Sequence, residues 1–284
     1  MENSKIEWTH HTTNFWIGCE KISAGCKNCY AETHSNRFKR AVWGKHGTRT
    51  LTSQKNRNQP IRWNKQAEKE GTRYRVFAQS LSDTFEDREE LKAWRIELFE
   101  TIVKTPHLDW LVLTKRPEVA KRFFEEYPQF SNLDNVWLGT SVENQEQADI
   151  RIPVLLQIPA KIRFLSCEPL LGEVDLYMAL CNYDESGIFD YRQKPLIDWV
   201  IVGGESGHSA RALHPDWVRS IQQQCAEANV PFLFKQWGEY APIDAQRIYE
   251  GKRIDFTDGT AMLKVGKKEA GNMLDGKTYL EFPK

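Results

Sequence analysis

Short apolar runs rich in Val, Ile, Leu and Phe recur from Arg75 onward, each ending in polar residues and followed by a helical pattern. The runs are Arg75–Ser80, Asp109–Thr114, Asn135–Ser141, Lys161–Cys167, Asp198–Gly204 and Val230–Lys235. Their starts lie about 25 to 40 residues apart, the length of a strand, a helix and two connections. Between them, Arg88 to Lys104 places Leu91, Trp94, Leu98 and Ile102 on one helical face. Pro215 to Asn229 does the same with Trp217, Ile221 and Cys225, with Pro215 where a first-turn proline belongs. A further strand within Ile6 to Ile17, rich in Trp, Phe and Thr, precedes this series. The pattern predicts an α/β fold, a full or partial parallel (β/α) barrel of about six to seven strands.

The barrel is expected to occupy residues 1–238, with a basic insertion at 39–73 that reads as an extended surface segment because it holds Gly44, Gly47 and Pro60 and no clear period. Residues 176–195 interrupt the series. Residues 239–284, polar and glycine-rich, form a C-terminal appendage packed back onto the barrel.

In such a fold the strand C-termini build the active face. They deliver Ser80, Ser82 and Asp83; Thr114, Lys115 and Arg116; Thr140, Ser141 and Glu143; Ser166, Cys167 and Glu168; Gly203, Gly204, Glu205 and Ser206; Lys235 and Gln236. Glu168, a carboxylate held beside a thiol, together with Glu205 and Lys235, are the candidate catalytic groups. The paired glycines at 203 and 204 permit close backbone approach to a ligand but lack the Lys-Ser/Thr ending of a nucleoside-triphosphate loop.

The loop after the first strand carries Cys19, Cys26 and Cys29, spaced C-x6-C-x2-C, with Gly18 and Gly25 permitting a tight fold. Three thiols on one loop indicate a metal. Four would seal a structural zinc site or an iron–sulfur cluster, whereas three leave one position open unless His34, His10 or His11 fills it. Cys181 and Cys225 stand alone and read as plain core thiols.

The chain has 39 basic and 39 acidic residues, so its overall charge points to no partner. The distribution does: between Ser35 and Arg75 there are twelve Lys/Arg against two acids. Phe38, Trp43, Trp63 and Tyr74 interleave with these cations, the mixture that single-stranded nucleic acid favours. No apolar run approaches the roughly 20 residues of a membrane span, and the N-terminus lacks the apolar core of a signal peptide. A cytoplasmic protein without a membrane partner is expected.

The loop ending Cys-Lys-Asn-Cys-Tyr-Ala resembles the cluster loop of radical S-adenosylmethionine (radical SAM) enzymes. The wider set of motifs, at Phe77–Asp83, Leu111–Arg116, Val136–Glu143, Phe164–Leu171, Val202–Ser206 and Phe234–Gly238, resembles a phage-associated three-Cys-motif family over nearly the full chain. The resemblance implies a [4Fe–4S] cluster held by Cys19, Cys26 and Cys29, with S-adenosylmethionine on the fourth iron and a 5′-deoxyadenosyl radical as the reactive species. It implies Tyr30, Ser80, Ser82, Asp83, Thr114, Ser141 and Glu143 as cofactor-binding residues and an electron donor as partner. Here the first cysteine gap is six residues where that superfamily has three, and Ser80-Leu81-Ser82-Asp83 stands where it carries Gly-Gly-Glu. The expected substrate is a nucleobase or nucleotide, free or in nucleic acid bound through residues 37–75, or a group presented by a protein partner. Two alternatives remain at this stage: a Cys3His zinc site completed by His34 on a non-catalytic binding protein, and metal-dependent hydrolysis on the strand-end rim.

Overall fold

The computed structural model describes residues 1–181, 195–243 and 251–283. Seven parallel strands form one sheet: β1 (His11–Thr13), β2 (Tyr74–Ala78), β3 (Leu108–Thr114), β4 (Val136–Ser141), β5 (Ile162–Cys167), β6 (Trp199–Gly203) and β7 (Phe232–Gln236), in sequential order from β1 to β7. The helices are α1 (Tyr30–Arg37), α2 (Gln59–Glu70), α3 (Lys92–Val103), α4 (Pro117–Glu126), α5 (Gln145–Leu156) and α6 (Pro215–Glu227), with several shorter turns. Sequential order with a helical crossover between neighbours is the arrangement of a partial (β/α) barrel. Every residue of β4 and β6 is buried, as parallel strands covered on both faces require. The strand series read from the sequence is present to within one or two residues, except that the first strand is only three residues long.

The chain divides into two compact units: Met1–Thr140 with Pro153–Arg163, and Ser141–Ile152 with Phe164–Lys284. In the first, α3 and α4 bury Leu98, Phe99, Val119, Phe123 and Phe124 with Phe85. Ring centroids there lie 4.9 to 6.0 Å apart. In the second, the C-terminal residues cover β7. Phe234 N–H donates to Tyr279 O at 3.0 Å, and the Trp199 indole donates to Glu281 O at 2.8 Å. A three-stranded antiparallel sheet (Tyr240–Pro242, Arg253–Asp255, Ala261–Lys264) precedes them. Of the interruption at 176–195, Tyr177–Leu180 is a helical turn and residues 182–194 lie outside the described residues.

The basic segment differs from its expectation. It is the crossover from β1 to β2 and contains α2, which starts with Pro60 in its first turn and ends on Gly71 at φ +63°. Trp63 is fully buried, its ring stacked on His11 at 4.4 Å and 17°. Arg57 is buried and pairs with Glu97 at 2.9 Å, and Arg73 pairs with Asp109 at 2.7 Å. Trp63 is therefore core rather than a stacking platform, and the Tyr74 hydroxyl is held by Glu70.

His11 gives this core a pH dependence. Burial, then the neighbouring His10, lowers its pKa from the usual 6.5 to about 4, and its Nδ1 accepts the Asn3 N–H at 3.2 Å. The unfolded chain binds a proton here below pH 6.5 that the folded chain refuses until about pH 4. The stability that this neutral imidazole contributes is therefore present above pH 6.5 and lost on acidification toward pH 4. Urea unfolding across that window should show His11→Phe with a shallower pH slope than the native chain.

Candidate active site

β1 leads through Phe15, Trp16 and Ile17 into the cysteine loop. Gly18 turns it at φ +111°, where a Cβ would meet Thr48 O at 2.7 Å. Its N–H donates to Leu81 O at 3.1 Å, and Cys19 O accepts the Gly44 N–H at 3.0 Å, so the loop is tied on both sides. Cys19, Cys26 and Cys29 are all half-buried and all free thiols. Their sulfur atoms do not gather within 4.8 Å of one another: among the described residues only His214, Asp216 and Asp258 form a three-ligand group of that spacing. One tetrahedral zinc ion with sulfur at about 2.3 Å would hold its thiolates about 3.8 Å apart. The cysteine spacing, with or without His34, is wider than that, and His34 packs instead on Phe38 with ring centroids 4.8 Å apart.

Burial pushes the Cys19 and Cys29 thiols up, and in each case local positive charge opposes it. At Cys29, which precedes α1, the N–H groups of Glu32 and Ala31 favour the thiolate. At Cys19 the opposing group is Arg116, whose Nη1 lies 3.9 Å from the sulfur and whose Nη2 donates to Glu20 O at 3.0 Å. Arg116 in turn pairs with Asp83 at 3.0 Å. Asp83 also accepts from Thr114 Oγ1 at 2.6 Å, Phe85 N at 2.9 Å and Lys115 N at 3.0 Å. Burial raises the Asp83 pKa, but Arg116, the Thr114 hydroxyl and the two N–H groups outweigh it and hold the carboxyl below the usual range. Burial likewise acts against charge on Arg116, and Asp83, Cys19 and Glu86 overcome it.

Two of the residues that the resemblance assigns to cofactor thus serve each other: Asp83 and Thr114 position Arg116. Tyr30 and Ser80 also meet, the phenol donating to Ser80 O at 2.6 Å, and Ser82 Oγ donates to Trp16 O at 3.3 Å. Flanking this turn, Gln79 Nε2 and Thr84 Oγ1 are buried and have no hydrogen-bond partner among the described residues. Gln79 spends only its Oε1, on Phe15 N–H at 2.6 Å. The sequence reading missed Gln79, and also Glu86, which pairs fully buried with Arg49 and braces the cysteine loop from beneath. The pair is 37 residues apart in sequence, and no local pattern could announce it.

In the second unit, Ser141 and Glu143 are joined by Arg151, whose Nη1 donates to Ser141 O and to Glu143 Oε2, each at 2.8 Å. Glu168 and Lys235 form an ion pair at 2.9 Å, and a Cβ at Gly203 would lie 2.5 Å from Glu168 Oε1, so glycine there makes room for the carboxylate. Gly204 admits the Trp237 carbonyl. Glu205 is apart from this pair, gripped on both oxygens by Arg211 at 2.6 and 2.9 Å. Burial, with Glu168 and Glu143 adding to it, holds Cys167 protonated.

The fold and this geometry define a class: α/β proteins with a parallel, sequentially ordered sheet and a thiol-bearing loop after the first strand. Within it the chain belongs to the family described as "Protein of unknown function (DUF5131)", which matches residues 3–283. No curated protein matches it. Among solved structures it is similar to a mutant spore photoproduct lyase with bound AdoMet and dinucleoside spore photoproduct. The sequence identity is 12% and the TM-score 0.45, over 92% of this chain and 70% of that one. No helix among the described residues is long and apolar enough to cross a membrane.

Proposed function

We propose that this protein is a radical SAM enzyme in which Cys19, Cys26 and Cys29 hold a [4Fe–4S] cluster and the substrate is a nucleobase or nucleotide. The observation that carries the reading is the cysteine loop itself: three thiols on one braced loop, spaced too widely for one zinc ion and served by Arg116 and the start of α1. Three thiols on the loop without a fourth suit a cluster with one open iron, whereas the sulfur spacing argues against the Cys3His alternative. Cluster ligation needs thiolates; Arg116 at Cys19 and the two N–H groups at Cys29 favour them, against burial and, at Cys19, against the Asp83 and Glu86 carboxylates. Asp83 and Thr114 keep Arg116 in place.

For S-adenosylmethionine the support is the turn after β2, where Gln79 Nε2 and Thr84 Oγ1 are buried donors not spent on any described residue. The stretch from Gln79 to Ser82 would hold its polar end, with Tyr30 beside the last cysteine. When bound, the cluster and S-adenosylmethionine supply a 5′-deoxyadenosyl radical able to take a hydrogen atom from substrate. Ser141 and Glu143 lie on the second unit, with Arg151 fixing the Glu143 carboxylate. Of the catalytic candidates, the Lys235–Glu168 pair is the one able to hold or move a proton, between Nζ and Oε1. Glu205, neutralised by Arg211, is a positioning group.

In the test, saturating S-adenosylmethionine alters the electron paramagnetic resonance spectrum of the reduced protein, and dithionite then releases 5′-deoxyadenosine or methionine. Gln79→Leu weakens that response with iron content unchanged. A spectrum that S-adenosylmethionine leaves unaltered contradicts the proposal.

A further inference from the structure

Residues 35–75 carry twelve cations, and the fold disposes of them unequally. Arg49, Arg57, Arg62 and Arg73 each pair with a carboxylate. Arg37, Lys39, Arg40 and Lys45 are all exposed and have no carboxylate partner among the described residues. The acid nearest to Arg37 in sequence, Glu32, is taken by Lys21 at 2.6 Å. In their midst Phe38 is 53% exposed, with the guanidinium carbons of Arg37 and Arg40 at 5.6 and 5.8 Å from its ring centre.

This surface is built rather than loose. Ser35, fully buried, accepts from Ala41 N–H at 3.0 Å and donates to Ala41 O at 3.1 Å, closing the turn that displays Phe38 and Lys39. Arg88 holds the carbonyls of Lys45 and Gly47 at 3.2 Å. The Gly44 N–H on Cys19 O joins the same segment to the cysteine loop. Unpaired cations around an exposed aromatic ring, on a fixed backbone, match a ligand with phosphates and flat bases.

We propose that residues Arg37 to Lys45 form a reading surface for single-stranded nucleic acid, so that the substrate base is presented as part of a polymer and not as a free nucleotide. The eight residues of α1 carry the surface about 12 Å beyond Cys29, farther than one nucleotide step. A mononucleotide at the loop would leave these cations without an anion. The link to substrate rests on the proposed function; the binding surface itself does not.

The probe is fluorescein-labelled oligo-dT, with oligo-U as the RNA arm, titrated by anisotropy into anaerobically purified full-length protein over a range of salt. Affinity should fall with salt by a log–log slope of about 0.7 per phosphate contacted. Arg37→Gln with Arg40→Gln should reduce that slope by about 1.4. Phe38→Ala should weaken binding roughly tenfold and leave the slope alone. Lys65→Gln with Lys69→Gln on α2 should change neither. Absence of saturable binding at low salt overturns the inference, as does an α2 pair that flattens the slope as much as the Arg37 and Arg40 pair. Iron content, measured on the same samples, separates the two claims. Iron-free protein that binds the oligonucleotide keeps this inference and sinks the radical reading, and iron-loaded protein that does not bind does the reverse.

Discussion

Replacing any one of Cys19, Cys26 or Cys29 by Ala should abolish the iron and sulfide expected of the proposed cluster, while Ala at Cys167, Cys181 or Cys225 should leave both unchanged. The contrast follows from where the thiols sit. The first three share one loop outside the core and have donors aimed at them, Arg116 at Cys19 and the α1 N–H groups at Cys29. Three ligands to the proposed four-iron cluster would leave no spare, so loss of one should lose the whole. The others are buried in the second unit, Cys167 and Cys225 fully, and burial holds both as inert thiols. Iron and acid-labile sulfide assays on each variant, with circular dichroism to confirm folding, read the result. A Cys167 variant that lost its iron would overturn this division.

The second large effect concerns the brace beneath the loop. Arg49→Met leaves the Glu86 carboxylate buried without its cation, and should cost about 3–5 kcal/mol of stability, read as a drop in the urea midpoint. Arg49 also donates to Thr48 O and Gly44 O, so cluster content should fall with it. Arg49→Met combined with Glu86→Leu should recover stability relative to the single change, because no uncompensated charge remains. Breaking the exposed Arg62–Glu2 pair by Arg62→Ala should cost less than about 1 kcal/mol. Equal costs for Arg49 and Arg62 would contradict the buried-brace account.

The sheet was legible because each strand is a short run of branched and aromatic residues buried on both faces, flanked by polar strand ends. The helix from Pro215 was legible from its first-turn proline and its apolar spacing. α2 was not, because Gly and Pro60 read as breakers and its apolar content reduces to Ile61, Trp63 and Ala67. Its buried face is anchored by Trp63 stacked on His11, a contact 52 residues away in sequence (63 − 11). The cysteine loop was legible as three thiols on one loop. Its electrostatic support was not, since the partners of Arg116 and Arg49 lie 33 and 37 residues distant. The same long-range pairing ties Arg49, Arg57, Arg62 and Arg73 to carboxylates, and of the cations left over only those from Arg37 to Lys45 surround an exposed aromatic ring among the described residues.

Metal analysis of protein purified without oxygen tests the central claim most directly. A brown protein with about four iron and four acid-labile sulfide per chain is the expected result. Colourless protein holding one zinc ion on the cysteine loop would contradict it.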